Sequence, residues 1–248
     1  MTTDWPYPRV VAHRGGGSLA PENTLAAFAT GAHHGQRMVE FDVKLSADGV
    51  PFLLHDDTLE RTTNGAGEAG ALRFDELARL DAGMWFAPEF AGQRVPSFGQ
   101  VAACCRRLGL LANVEIKPSK DCERDTGRRV AAHAARFWQD AVVPPLLSSF
   151  SFEALEAARD AAPALPRGLL FTVPPPDWRA QTEALACVSL HVYHETLSAP
   201  LVREIHDAGL RVLAYTVNDP LRARELLDWG VDMVCTDRID LIAPAPAP

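Results

Sequence analysis

Eight short apolar runs punctuate the chain: VVAHR, MVEFDV, LLANVEI, PLLSSF, RGLLFT, CVSLHVY, RVLAYTV and DMVCTD. Each has strand length and is nearly continuously apolar, as expected of strands covered on both faces. Between most of them lie amphipathic segments of helical period, such as ENTLAAFATGAHH, FGQVAACCRRLG, RDTGRRVAAHAARFWQD, FEALEAARDA, APLVREIHDAG and PLRARELLDWG. Strand and helix alternate, which implies a parallel sheet with helices packed outside it. Eight such units predict a closed (β/α)8 barrel. An open doubly wound sheet is the competing arrangement, but no G-x-G-x-x-G follows the first strand, and HRGGGS does not supply that spacing.

Two segments interrupt the alternation. After the second strand, Asp48-Gly49 separates two strand-like runs, and this dipeptide is the preferred centre of a two-residue hairpin turn. Such a turn sets His55 directly opposite Asp42, with Glu40 on the same strand face. The hairpin leads into residues of about 58–97, rich in Gly and polar side chains, which read as a long insertion. In a barrel an insertion here roofs or rims the pocket at the strands' C-terminal ends. Residues 1–243 are therefore expected to form one domain, and the Pro/Ala-rich tail 244–248 to be disordered.

Composition narrows the function more than the fold. With 24 Lys+Arg against 32 Asp+Glu, the formal charge of -8 argues against a broad nucleic-acid or anionic-membrane footprint. No run is long and apolar enough to span a bilayer, the N-terminus lacks a secretory pattern, and the expected compartment is the cytoplasm. The five cysteines are odd in number and lack C-x-x-C spacing, which predicts reduced core thiols.

Charged residues end three of the apolar runs: His13 and Arg14 the first, Glu40 and Asp42 the second, Glu115 and Lys117 the third. Period-two alternation puts Glu115 and Lys117 on one face and Val114 and Ile116 on the other, so the barrel mouth collects the charges. Three carboxylates in a low-dielectric pocket repel one another unless a cation joins them, and oxygen ligands select a hard one, Mg²⁺ or Ca²⁺. Beside them, Arg14 and Lys117 offer a fork and a point charge suited to phosphate oxygens. Two histidines, His13 and His55, can activate a nucleophile and protonate a leaving alkoxide, which suits a phosphodiester. No P-loop or kinase motif supports nucleotide-driven phosphoryl transfer.

The segments HRGGGSLAPENTLAAF, EFDVKLSADGVPFLLHDDTLERTTNGAG, VEIKP, YTVND and VDMVCTD together resemble the glycerophosphodiester phosphodiesterase family over nearly the whole chain. That resemblance implies a TIM barrel and metal-dependent hydrolysis of a glycerophosphodiester to sn-glycerol 3-phosphate and an alcohol. It implies His13 and His55 as catalytic residues, Glu40, Asp42 and Glu115 as ligands of one divalent cation, and Arg14 and Lys117 as phosphate contacts. The chain departs from the family pattern at Tyr215, where many members have Trp, and at TDRID, where a TDYP-like ending is common; both changes fall on the pocket wall rather than the catalytic set. Related activities with the same layout are a lysophospholipase D or a phosphoinositide phospholipase C-like phosphodiesterase, and a non-catalytic phosphate-binding protein is the reading from another class. The expected partner is a small-molecule diester, with no nucleic acid and no stable membrane anchor.

Several residues read as structural. Pro21-Glu22-Asn23-Thr24 is expected to be a loop entering a helix, with Glu22 near the positive helix end and Asn23 organising the loop. Asn64-Gly65 reads as a turn. Among the remaining histidines, only His191 and His194 lie near a strand end at the mouth.

Overall fold

The computed structural model describes residues 5–243; the tail expected to be disordered lies outside the described residues. The eight apolar runs form β1 (Val10–Ala12), β2 (Met38–Leu45), β4 (Leu111–Ile116), β5 (Leu146–Ser149), β6 (Arg167–Phe171), β7 (Ser189–Tyr193), β8 (Arg211–Tyr215) and β9 (Met233–Thr236). Neighbours pair in parallel, and β1 pairs with both β9 and β2, so the sheet closes into the predicted barrel. The remaining strand, β3 (Pro51–Leu53), is added antiparallel to β2.

Outside the barrel run α1 (Leu25–His33), α3 (Phe98–Leu108), α4 (Glu123–Phe137), α5 (Phe152–Ala161), α6 (Trp178–Ala184), α7 (Ala199–Asp207) and α8 (Pro220–Asp228), while α2 (Phe74–Leu77) is one turn after the hairpin. Polar side chains start most of them by accepting a free N–H of the first turn: Thr24 from Ala27, Ser97 from Gln100, Ser151 from Ala154 and Ser198 from Leu201. Helix α6 is absent from the sequence reading. It is short, follows the VPPPD stretch, and has only Trp178 and Thr182 buried, too few positions to show a period. Among the described residues no helix is long and apolar enough to cross a membrane.

Alternation along each strand divides the core. Outward positions such as Val39, Phe41, Val114 and Ile116 pack against the helices, while inward Val11, Met38, Leu146, Leu213, Met233 and Cys235 fill the barrel floor. Phe52 of β3 and the residues between β3 and α3 bury a small cluster of their own, including Leu59, Leu77 and Val95. All five cysteines are free. Cys104, Cys105 and Cys235 are buried as expected, but Cys187 is half-buried and Cys122 is exposed just before α4.

The hairpin departs from its predicted form. Ser46 and Val50 close a three-residue loop, with Ser46 N donating to Val50 O at 3.1 Å and Gly49 N to Ser46 O at 2.8 Å. Only Gly49 takes positive φ, at 75°. The Ser46 hydroxyl donates to the Asp48 carboxylate at 2.7 Å and accepts from Val50 N at 3.0 Å, while Asp48 also accepts from Phe74 N. These side-chain bonds favour a type I turn followed by a left-handed glycine over the two-residue alternative. The register is Val43↔Leu53, Lys44↔Phe52 and Leu45↔Pro51, one residue from the expected pairing. His55 is therefore not the cross-strand partner of Asp42. Strand β3 stops at Leu53, and His55 lies on the bend that follows.

Candidate active site

The strand ends deliver charge to one place. His13 and Arg14 follow β1, Glu40 and Asp42 lie inward on β2, Glu115 lies inward on β4, and Lys117 sits just past it. Together with His55 all seven line a cavity of about 170 Å³ at the barrel mouth, with Asn113 and His191 among its deeper walls and Phe150 and Tyr215 among its outer ones. His55 reaches it despite the displaced register, because the bend after β3 turns the chain inward where a continued strand would have pointed it away.

The carboxylates cluster tightly. One oxygen each from Glu40, Asp42 and Glu115 lies within 4.8 Å of the others. Asp42 and Glu115 are register partners on neighbouring strands, so their side chains share a face by construction. Glu40 Oε2 accepts from Arg14 N at 3.0 Å, but Glu40 Oε1 is buried with no hydrogen-bond partner among the described residues. Lys117 Nζ stands 3.2 Å from Glu115 and 3.4 Å from Asp42. His13 Nε2 is 3.8 Å from Glu40 Oε2.

Residues 13–241 match the model of the glycerophosphoryl diester phosphodiesterase family. The chain belongs to that family. Among its relatives, a glycerophosphodiester phosphodiesterase from Caldanaerobacter subterraneus subsp. tengcongensis is 32% identical over 92% of this chain and 93% of its own. A phosphodiesterase from Oleispira antarctica, solved with the product sn-glycerol-3-phosphate, superposes with a TM-score of 0.87 at 36% identity, covering 93% of each chain. The glycerophosphodiester phosphodiesterase of Agrobacterium tumefaciens gives 0.80 at 30% identity, covering 95% of this chain and 98% of that one.

The electrostatics of this phosphodiesterase follow from burial working against neighbouring charge. Burial, then the Asp42 charge, pushes the Glu40 carboxyl up to about 8, and the same two causes raise Glu115. Burial also opposes ionisation of Asp42, but Lys117, Arg14, His55 and the Asn23 amide overcome it and hold Asp42 at about 2. The unpartnered, buried Glu40 Oε1, the raised carboxyls and the all-oxygen donor set fit a hard divalent cation. The histidines separate. Burial alone would lower His13, but its hydrogen bond to Asp237 and the Glu40 charge leave it raised; burial, with Arg14 and Lys117 opposing Asp42, leaves His55 lowered. His191 is wholly buried and neutral, its pKa driven down to about 3 by burial.

Several residues of the site were given no such part by the sequence. Asp237, just past β9, meets His13 Nδ1 at 2.6 Å and is braced by Asn218 Nδ2 at 3.0 Å. Asp56 meets His55 Nδ1 at 2.6 Å. An ionised carboxylate only accepts, so each ring carries its proton on Nδ1 when neutral and leaves Nε2 free. Asn23, expected to organise its loop, also grips Asp42 twice: its Nδ2 donates to Oδ2 at 2.9 Å and its Oδ1 accepts from Asp42 N at 3.2 Å. Glu22 does not serve the helix end. Thr24 caps α1, and Glu22 instead pairs with Arg14 at 2.8 Å and with Arg61. The glycine run after His13 permits close approach: Gly17 takes φ 54°, and a Cβ there would stand 2.2 Å from Asp237 O. Tyr215, one of the departures from the family pattern, packs edge-on to Phe150 at 5.8 Å on the cavity wall.

Proposed function

We propose that this enzyme hydrolyses glycerophosphodiesters to sn-glycerol 3-phosphate and an alcohol in a reaction that depends on a divalent cation, with His13 and His55 as its acid-base pair. The observation that carries the reading is the convergence of three carboxylate oxygens within 4.8 Å, beside two imidazoles and two fixed cations, on one cavity. Glu40, Asp42 and Glu115 would hold Mg²⁺ or Ca²⁺, which when bound supplies charge to polarise the phosphoryl group. Arg14 and Lys117 bind the non-bridging phosphate oxygens and neutralise the charge that grows there. One imidazole takes the proton of the attacking oxygen through Nε2, and the other gives a proton to the departing alcohol. The attacking oxygen is water or the glycerol hydroxyl next to the phosphate; the second route passes through a cyclic phosphate. Residues 1–243 act in this reading as one catalytic domain, whose segment after β3 supplies His55 and its supports.

The test is release of glycerol 3-phosphate from glycerophosphocholine, glycerophosphoethanolamine and glycerophosphoglycerol with Mg²⁺, Ca²⁺ or EDTA. Product is expected with at least one cation and none in EDTA. His13→Ala and His55→Ala should each lower kcat by about 10²–10⁴-fold with Tm unchanged. Absence of product from every diester with either cation would leave a binding protein as the better reading.

A further inference from the structure

The insertion carries one side chain that joins both halves of the site without touching the cavity. Arg61 Nε donates to Asp56 Oδ2 at 2.6 Å and its Nη2 to Asp56 Oδ1 at 2.9 Å. The same guanidinium donates from Nη1 to Glu22 Oε2 at 2.8 Å and from Nη2 to Glu22 Oε1 at 2.9 Å. Each carboxylate passes the constraint inward: Asp56 Oδ1 to His55 Nδ1 at 2.6 Å, and Glu22 Oε1 to Arg14 Nη1 at 2.8 Å. An exposed ion pair contributes little, but a planar fork bidentate to two carboxylates at once fixes both in angle as well as distance. Lysine, a point charge, cannot reproduce that.

The loop that carries Arg61 is itself held. Leu59 is buried in the insertion's cluster, its N–H donates to Gly67 O at 3.1 Å, and the Thr63 hydroxyl donates to Leu59 O at 2.7 Å. We propose that Arg61 is a positioning residue of the reaction, which through Asp56 aims the Nε2 of His55 and through Glu22 aims the guanidinium of Arg14 at the same phosphate. The inference rests on the roles proposed above for His55 and Arg14. Although the insertion was expected to roof or rim the pocket, no residue of 58–97 lines the cavity, and this support gives it a task in the chemistry instead.

The experiment uses the cation-loaded full chain and glycerophosphocholine, comparing Arg61→Ala and Arg61→Lys with wild type. Loss of an outer support of this kind costs about 10–100-fold in activity, and here it should appear in kcat with KM changed far less. Arg61→Lys keeps the charge and guards against loss of the fold; it should be as impaired as Arg61→Ala. Added methylguanidinium should restore part of the kcat of Arg61→Ala, and the His55 Nδ1–H resonance should shift or broaden in both variants. Wild-type kcat in Arg61→Ala, or a loss with neither rescue nor a change at His55, would overturn the inference. If His55→Ala also retained full turnover, the functional reading itself would fall; if His55→Ala were dead while Arg61→Ala was not, only this inference would.

Discussion

Removing divalent cations should make the enzyme's stability fall steeply with rising pH, and restoring them should erase that fall. Glu40 sets the expectation: burial and the Asp42 charge move its carboxyl from 4.5 to about 8 in the folded protein, and its Oε1 has no partner among the described residues. The folded state then keeps a proton that the unfolded chain gives up above pH 4.5. Stability present below that pH is lost as pH climbs toward 8, at about 1.4 kcal/mol per pH unit for one proton. In a chain of this size that corresponds to roughly 3–6 °C of Tm per pH unit. Glu115, also raised, acts in the same direction, whereas Asp42, depressed from 3.8 to about 2, contributes its opposite slope only below pH 4. A cation held by ionised carboxylates displaces the retained proton, so the stabilisation it confers should grow with pH. Thermal unfolding from pH 5.5 to 8, in EDTA and in excess Mg²⁺ or Ca²⁺, measures this increment directly, and subtracting the two curves removes slopes common to both. Glu40→Gln keeps the shape without the titration and should flatten the increment. An increment independent of pH in the wild type, or one unchanged in Glu40→Gln, would refute the reasoning.

Three further outcomes follow from named contacts. Asp237→Asn removes the charge, and with it the charge-assisted hydrogen bond, that raise His13, so kcat should fall about 10–100-fold and the His13 ionisation in the pH–rate profile should move to lower pH. Gly168→Ala would put a Cβ 2.3 Å from His191 Nε2 and 2.6 Å from Ser189 Oγ; both neighbours are borne by a barrel strand, so urea unfolding should show a loss of about 1–3 kcal/mol. Asn23→Ala strips the buried Asp42 of a donor to Oδ2 and its N–H of an acceptor, at a position with φ 59°. A drop of about 1–3 kcal/mol is expected in thermal unfolding, and an unchanged Tm would mean that Asn23 serves only its own loop.

What the sequence disclosed and what it withheld divide along the range of the interactions involved. Strand identity and the inward face depend on period-two alternation, which is local, so all eight barrel strands and the carboxylates at Glu40, Asp42 and Glu115 could be placed from short windows. Helix α6 was missed because seven residues with two buried positions carry no period. The hairpin register failed for a narrower reason. Asp48-Gly49 marks a turn, but its length is decided by the Ser46 hydroxyl, which bonds both Asp48 and the Val50 N–H and so makes room for a third loop residue.

The supports of the two histidines lie beyond such windows for different physical reasons. Asp237 reaches His13 only because barrel closure pairs β1 with β9, the first strand with the last, and no local pattern encodes that neighbourhood. Asp56 is adjacent to His55 in sequence, yet its role appears only once Arg61 fixes it from the loop behind. His13 is thus oriented from the barrel end and His55 from the segment after β3, so the two imidazoles rest on separate parts of the fold. Local opening of the insertion would take Arg61 from Asp56 and Glu22, loosening His55 and the outer brace of Arg14 while leaving His13, the three carboxylates and Lys117 in place. With the roles proposed above, partial unfolding there should lower turnover before cation binding by Glu40, Asp42 and Glu115 is lost, whereas disruption at β9 would reach His13 only through the barrel itself.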